Sequence, residues 1–164
     1  IYDLWCKLIN LNLTTPNIGL ITDTICCPGM DYCALATARS IPISQKISNH
    51  FKTYQEQKKL GDLKIKISGC INACGHHHVG NIGILGLDRN GQEFYQITLG
   101  GSARENASIG QIVGPSFSEK DLMGAIEKIL QTYEKNRINE NDDFLTDFKR
   151  IGIKEFKKEL YDNT

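Results

Sequence analysis

The sequence predicts an α+β fold, a mixed or antiparallel sheet with flanking helices. Three stretches predict it. Residues 62–68, DLKIKIS, place Leu63, Ile65 and Ile67 at alternate positions, the period of a strand with one buried face. Residues 79–101 carry two apolar runs on either side of Asn90-Gly91, a dipeptide suited to the tight turn of a hairpin. Residues 119–136 set Leu122, Ile126, Ile129, Leu130 and Tyr133 on one helical stripe. Runs of strands bracketed by helices define this class.

The chain opens on Ile1, Leu4, Trp5, Leu8 and Ile9 at helical spacing. A turn-rich break follows at 12–19, and LITDTI at 20–25 alternates as a short strand would. CCPGMDYC is a loop, turned by Pro28 and Gly29. The small residues CALATARS at 33–40 predict a helix starting at or near Cys33, interrupted at Pro42. From Ser44 to about Lys59 an amphipathic helix carries Ile47, Phe51 and Tyr54, and Gly61 ends it. In the hairpin, Ile82, Ile84 and Leu85 precede the turn; Phe94, Tyr95, Ile97 and Leu99 follow it. ENASIGQIVG at 105–114 adds a short strand, and Ser118 caps the helix of 119–136. A polar linker, NRINENDD, leads to a last amphipathic helix containing Phe156 and Leu160. No internal repeat is visible.

Composition bounds the function. The chain has 164 residues, enough for one domain with a real core. Lys+Arg and Asp+Glu are equal at 19 each, so no global field draws nucleic acid or an anionic membrane as a partner. No run approaches the length of a membrane span. No basic stretch followed by an apolar run marks a secretory signal, so a cytoplasmic location is expected. The chain begins on Ile1 inside an apolar pattern, and is expected to be a piece of a longer protein.

Six cysteines stand at Cys6, Cys26, Cys27, Cys33, Cys70 and Cys74. They are clustered rather than spread, which points to metal ligation over disulfides. Cys27 and Cys33 have five residues between them; Cys70 and Cys74 have three. Structural zinc prefers ligand pairs two to four apart, so Cys70, Cys74 and a histidine could hold zinc, while Cys27 and Cys33 fit it poorly. Four thiolates from two loops suit an iron–sulfur cluster. Gly29, Ala34, Ala36, Gly69, Ala73 and Gly75 leave room for backbone N–H groups to approach inorganic sulfide. The doublet leaves Cys26 open as the first ligand; Cys27 is preferred because Pro28-Gly29 turns the chain just after it. Cys26 and Cys6 are then small buried residues.

CPGMDYC, followed by SGCINACGHHHVGNIGILG and YQITLGG, resembles the C-terminal half of the sirohaem- and 4Fe–4S-dependent sulfite/nitrite reductases. The likeness runs from about Ile21 into the C-terminal helices, and GCINACGHHHVG is most similar to bacterial assimilatory sulfite reductase haemoprotein (beta) subunits. Nitrite reductases of the family more usually have Pro where this chain has Ile71, which separates the substrates only weakly. The resemblance implies a tail of a preceding ferredoxin-like half-domain at 1–20, the sirohaem/4Fe–4S domain at 21–139, and a linker and helix at 140–164. It implies that Cys27, Cys33, Cys70 and Cys74 bind the cluster, and that Cys74 also bridges to the sirohaem iron. Asn72 matches a position that contacts a sirohaem carboxylate, and Gly100 and Gly101 a loop close to the cofactors.

The implied reaction is the six-electron reduction of sulfite to sulfide, with reduction of nitrite to ammonia as the alternative. The implied electron donor is a flavoprotein reductase subunit or a ferredoxin. Arg and Lys must stabilise the substrate anion. In the family these come mainly from the N-terminal half, which is expected as a further partner. Arg39 and Arg104 read as solvated surface residues, so no catalytic residue is assigned in this chain, and the piece alone is expected to be inactive. His76, His77 and His78 read as packing beneath the cofactors rather than as ligands, and His50 as exposed. The competing reading, of another class, is a zinc-stapled binding domain without redox chemistry.

Overall fold

A computed structural model describes residues 1–139 and 142–162. Helix α1 spans Tyr2–Asn10, and strand β1 is Ile25–Cys26. Helices α2 (Ile41–His50) and α3 (Tyr54–Leu60) precede β2 (Ile65–Ser68). The hairpin is β3 (Ile82–Arg89) and β4 (Gln92–Leu99), followed by the short β5 (Gln111–Ile112) and β6 (Phe117–Ser118). Three helices close the chain: α4 (Glu119–Asn136), α5 (Phe144–Ile151) and α6 (Ile153–Tyr161). The sheet runs β1-β2-β3-β4-β5, and β6 also pairs with β4. β1, β2 and β3 are parallel; β4 is antiparallel to β3, β5 and β6. The fold is the mixed α+β arrangement that the sequence predicts.

The predicted stripes make the core. Ile65, Ile67, Ile84, Ile97 and Leu99 of the sheet are buried with Ile43 and Ile47 of α2 and with Leu122, Ile126, Ile129 and Tyr133 of α4. Removing that surface from water is the main stabilising term, about 25 cal/mol per Å². The Asn90-Gly91 turn takes two positive φ angles, 55° and 78°, as the hairpin's twist requires. Ser118 caps α4 by accepting from the Asp121 amide at 3.3 Å. α1 forms, but buries none of its residues, and Ile1, Leu4, Trp5 and Ile9 are exposed.

Four expectations fail, each for an identifiable reason. Residues 20–24 are turns rather than strand: the Asp23 carboxylate accepts the Gly19 amide at 2.9 Å and the Asp23 amide reaches Leu20 O, so the backbone is satisfied locally. The helix expected from Cys33 does not form. The Thr37 and Ala38 amides both donate to Gly69 O at 2.9 Å, spending on a tertiary contact the bonds a helix needs. Pro42 does not interrupt a helix; it lies in the first turn of α2, where its missing N–H costs nothing. The single helix expected from Ser44 to Lys59 is two, because Thr53 caps a new start and the Gln57 amide side chain donates to Phe51 O at 2.8 Å.

The last helix is likewise two. Asp143 caps α5 by accepting from the Thr146 amide at 2.8 Å, and Gly152, at φ 80°, turns the chain into α6. Both pack on the main core through Phe144, Phe148, Phe156 and Leu160. Asp147 is fully buried and paired with Arg150. Part of the predicted linker, residues 140–141, lies outside the described residues.

Candidate redox-cofactor site

Parallel strands β1 and β2 carry the cysteine loops out at the same edge of the sheet. Cys26 stands opposite Ile67 in the register, and the Cys27 amide extends the pairing to Ile67 O at 3.1 Å. The chain leaves β1 at Cys27 and β2 at Ser68, so the loops containing Cys33 and Cys70 start side by side. The second loop, residues 69–81, is the crossover between β2 and β3, two parallel strands.

The loops interlock. The Met30 amide donates to Ala38 O, while Thr37 and Ala38 hold Gly69 O. A Cβ at Gly69 would lie 2.6 Å from Ala38 O and 3.0 Å from the Gly29 Cα. A Cβ at Gly75 would lie 1.8 Å from Ile67 O, so only glycine lets the loop fold back on β2. Gly29 and Gly69 are thus accounted for by packing between the two loops, and Gly75 by packing of its loop on β2, in addition to any room they leave for a cofactor. Ala73 and His76 take left-handed φ angles of 57° and 54°, which coil the Cys70–Cys74 loop tightly.

All six cysteines are free thiols. Cys70 is buried, Cys27 and Cys33 half-buried, and Cys74 exposed. Cys27 Sγ accepts the Gly69 amide at 3.1 Å and lies 3.4 Å from Ser40 Oγ. Cys26 instead packs against the apolar core, and burial raises its thiol pKa. Cys27 Sγ therefore sits beside a backbone amide and a hydroxyl, whereas Cys26 packs mainly on apolar side chains. Cys6 lies half-buried on α1, away from both loops in sequence. The sequence gives no signal for these partners of Cys27: Ser40 stands there only as the last residue of the helix-prone stretch 33–40.

Among the described residues, no three Cys, His, Asp or Glu side chains converge to grip one metal ion. Zinc, with bonds of about 2.3 Å to sulfur, needs such convergence. A cubane is larger, and its ligands stand apart at its corners. The donor set here, four free thiols on two neighbouring loops with a backbone amide directed at one of them, fits the cluster better. Exposed Met30, Tyr32, Leu35 and Ile71 lie on the same two loops, beside the thiols in sequence.

The remaining expected residues fall as follows. Asn72 is exposed next to Cys74, whose Sγ is 4.0 Å from Asn72 O. Gly100 and Gly101 are buried and have reasons of their own: a Cβ at Gly100 would sit 2.2 Å from the Phe148 ring, and one at Gly101 2.5 Å from Gly80 O. Arg39 is paired with Asp31 at 3.1 Å and with Glu93, and Arg104 with Asp62, all at the surface. Neither arginine stands ready for an anion. His50 is exposed, 3.1 Å from Glu127. His76 and His78 are exposed.

His77 is 2 % exposed, and its Nδ1 has no partner among the described residues. Burial, then the neighbouring His78, lowers its pKa from 6.5 to about 4. Its ring is neutral at pH 7. The unfolded chain then binds the extra proton between pH 6.5 and 4, so stability falls as pH drops through that window, by on the order of 3 kcal/mol in all. Urea unfolding of wild type and His77→Phe between pH 7.5 and 4.5 checks this: the variant should lose much of the slope.

A profile of the nitrite and sulphite reductase 4Fe-4S domain matches residues 19–164. The chain belongs to this family. The nitrite and sulphite reductase domain spans nearly the whole chain, but the chain spans about a quarter of the length of the first curated relatives it matches. The NADPH sulfite reductase hemoprotein beta-component of Bacillus licheniformis is 27 % identical over 148 residues, which are 89 % of this chain and 24 % of that protein. The assimilatory-type sulfite reductase of Nitratidesulfovibrio vulgaris is 24 % identical over 110 residues, 67 % of this chain and 47 % of that protein. Of solved structures, Mycobacterium tuberculosis NirA superposes with a TM-score of 0.75 at 21 % identity, covering 94 % of this chain and 30 % of NirA. A dissimilatory sulfite reductase I gives 0.66 at 11 % identity, covering 84 % and 51 %. The two structures agree in fold. The family match and the hemoprotein relatives imply a 4Fe–4S cluster and sirohaem as cofactors. No helix among the described residues is long and apolar enough to cross a membrane.

Proposed function

We propose that this chain is the cluster-bearing part of an assimilatory sulfite reductase haemoprotein, which reduces sulfite to sulfide. The observation that carries the reading is the pair of thiol-bearing loops leaving adjacent parallel strands, with the Gly69 amide on Cys27 Sγ. Cys27, Cys33, Cys70 and Cys74 are the cluster ligands. When bound, the cluster and the sirohaem supply electrons one at a time to an anion on the haem iron. Cys74, the exposed thiol of the four, is the sulfur open to sharing with the haem. Asn72, beside it at the surface, is the amide available to a sirohaem carboxylate. Gly100 and Gly101 let the loop after β4 pack closely on Phe148 and on the His78–Gly80 backbone, and would hold that loop in place near the bound cofactors.

Arg39 and Arg104 are engaged in ion pairs, and the basic residues for the substrate are assigned to the N-terminal half of the protein. The exposed apolar face of α1, with the 1–20 segment, is where the preceding half continues. Electrons arrive from a flavoprotein reductase subunit or a ferredoxin, in the cytoplasm. The test is anaerobic assay of the full gene product with reduced methyl viologen, following sulfide from sulfite and ammonium from nitrite. A higher kcat/KM for sulfite is expected. Preference for nitrite would reassign the substrate, and no turnover of either anion by cofactor-loaded protein would overturn the reading. The 164-residue piece alone, loaded with both cofactors, is expected to reduce neither.

A further inference from the structure

Ser40 is the N-cap residue of α2, yet its hydroxyl makes no capping hydrogen bond. Serine at an N-cap ordinarily accepts from an amide of the first helical turn. Here Oγ is fully buried and directed away from the helix, 3.4 Å from Cys27 Sγ. The space it occupies is guarded on both sides by glycine. A Cβ at Gly29 would lie 2.5 Å from Ser40 N and 3.0 Å from Ser40 Oγ, and a Cβ at Gly69 would lie 3.0 Å from the same Oγ. Three separate segments thus keep one hydroxyl beside one sulfur.

We infer that Ser40 is a positioning residue for the iron–sulfur cluster, its buried hydroxyl donating to Cys27 Sγ and tuning the cluster's reduction potential. The inference rests on the proposed role of Cys27 as a ligand. A metal-bound cysteine sulfur carries no proton, so in that state the hydroxyl must be the donor. With the Gly69 amide at 3.1 Å, Cys27 then accepts two hydrogen bonds, and it lies at the positive end of a ten-residue helix. Each of these favours negative charge on the sulfur. Reduction adds negative charge to the cluster and its ligands, so the hydroxyl stabilises the reduced form more than the oxidised one and raises the potential. Ser44, one turn further along α2, faces Cys26 instead.

The experiment is an EPR-monitored redox titration of the full gene product, purified anaerobically, as wild type, Ser40→Ala, Ser40→Thr and Ser44→Ala. Iron content is measured on each. Ser40→Ala is expected to shift the cluster midpoint to more negative potential, with Ser40→Thr nearer wild type and Ser44→Ala unchanged. An unchanged midpoint in Ser40→Ala at full iron content overturns the inference and leaves the ligand assignment standing. Loss of the cluster in Ser40→Ala but not in Ser40→Thr supports it. Equal loss in both overturns it, because shape and not the hydroxyl then matters. Wild-type protein without a cluster overturns the ligand assignment and this inference together, and iron content separates that case from the others.

Discussion

Cys27→Ala is expected to cost the protein its iron–sulfur cluster, while Cys26→Ala keeps it. The two thiols are neighbours in sequence but not in environment. Cys27 ends the β1 pairing, and its sulfur takes the Gly69 amide at 3.1 Å, in the loop that leads directly into Cys70. Cys26 packs on the core, where a thiolate would be desolvated. Removing one of four ligands opens a cluster corner to solvent, and little iron should survive purification. Removing Cys26 deletes a small, half-buried side chain, with a stability cost of about 1 kcal/mol. Iron and acid-labile sulfide per chain measure the contrast. Loss of iron in Cys26→Ala with retention in Cys27→Ala would move the first ligand back by one residue.

Gly75→Ala is expected to be the most disruptive methyl addition in the cysteine loops. The new Cβ would lie 1.8 Å from Ile67 O and 2.6 Å from Ile67 C, both backbone atoms of β2 that no rotamer change can move. Either the loop lifts or the strand bends. Ser68 Oγ now accepts the Gly75 amide at 3.2 Å, and that buried bond is lost with the displacement. Overpacking and a lost buried hydrogen bond together cost about 3 kcal/mol. The displaced loop carries Cys70 and Cys74, so cluster occupancy should fall with stability. Gly91→Ala provides the contrast: no atom lies within 4 Å of its Cβ, and only its positive φ, 78°, is penalised. Chemical denaturation with iron analysis separates the two, and equal stability of Gly75→Ala and wild type would refute the packing account.

The parts of the fold legible in the sequence were those set by local periodicity. The alternation of Leu63, Ile65 and Ile67, the Asn90-Gly91 turn, the stripe of α4 and its Ser118 cap all follow from spacing alone, and each is present. Illegible were the segments whose backbone bonds go to partners distant in sequence. Residues 33–40 have helix-prone side chains, but Gly69, more than thirty residues away, captures two of their amides. Pro42 reads as a break in a helix expected from Cys33 and resuming at Ser44, whereas α2 starts at Ile41 and takes Pro42 into its first turn. The small residues of the cysteine loops were read as space for sulfide; Gly69 and Gly75 turn out to meet the chain's own backbone.

At the candidate site the pairing of the two cysteine motifs was visible, because spacing is a local property. Their juxtaposition depends on β1 and β2 being parallel neighbours, which no stretch of either strand reveals. The hydroxyl of Ser40 beside Cys27 is equally hidden: in the sequence Ser40 closes a helix-prone stretch, and only the tertiary fold brings it to a sulfur.

On the reading proposed above, Cys27, Cys33, Cys70 and Cys74 together hold a 4Fe–4S cluster. Mössbauer spectroscopy of the full gene product, enriched in iron-57 and purified anaerobically, tests it most directly. The signature of a cubane at four irons per chain is expected, absent from the quadruple Cys→Ser variant. Stoichiometric zinc held by Cys70, Cys74 and a histidine, with no cluster iron, would contradict it.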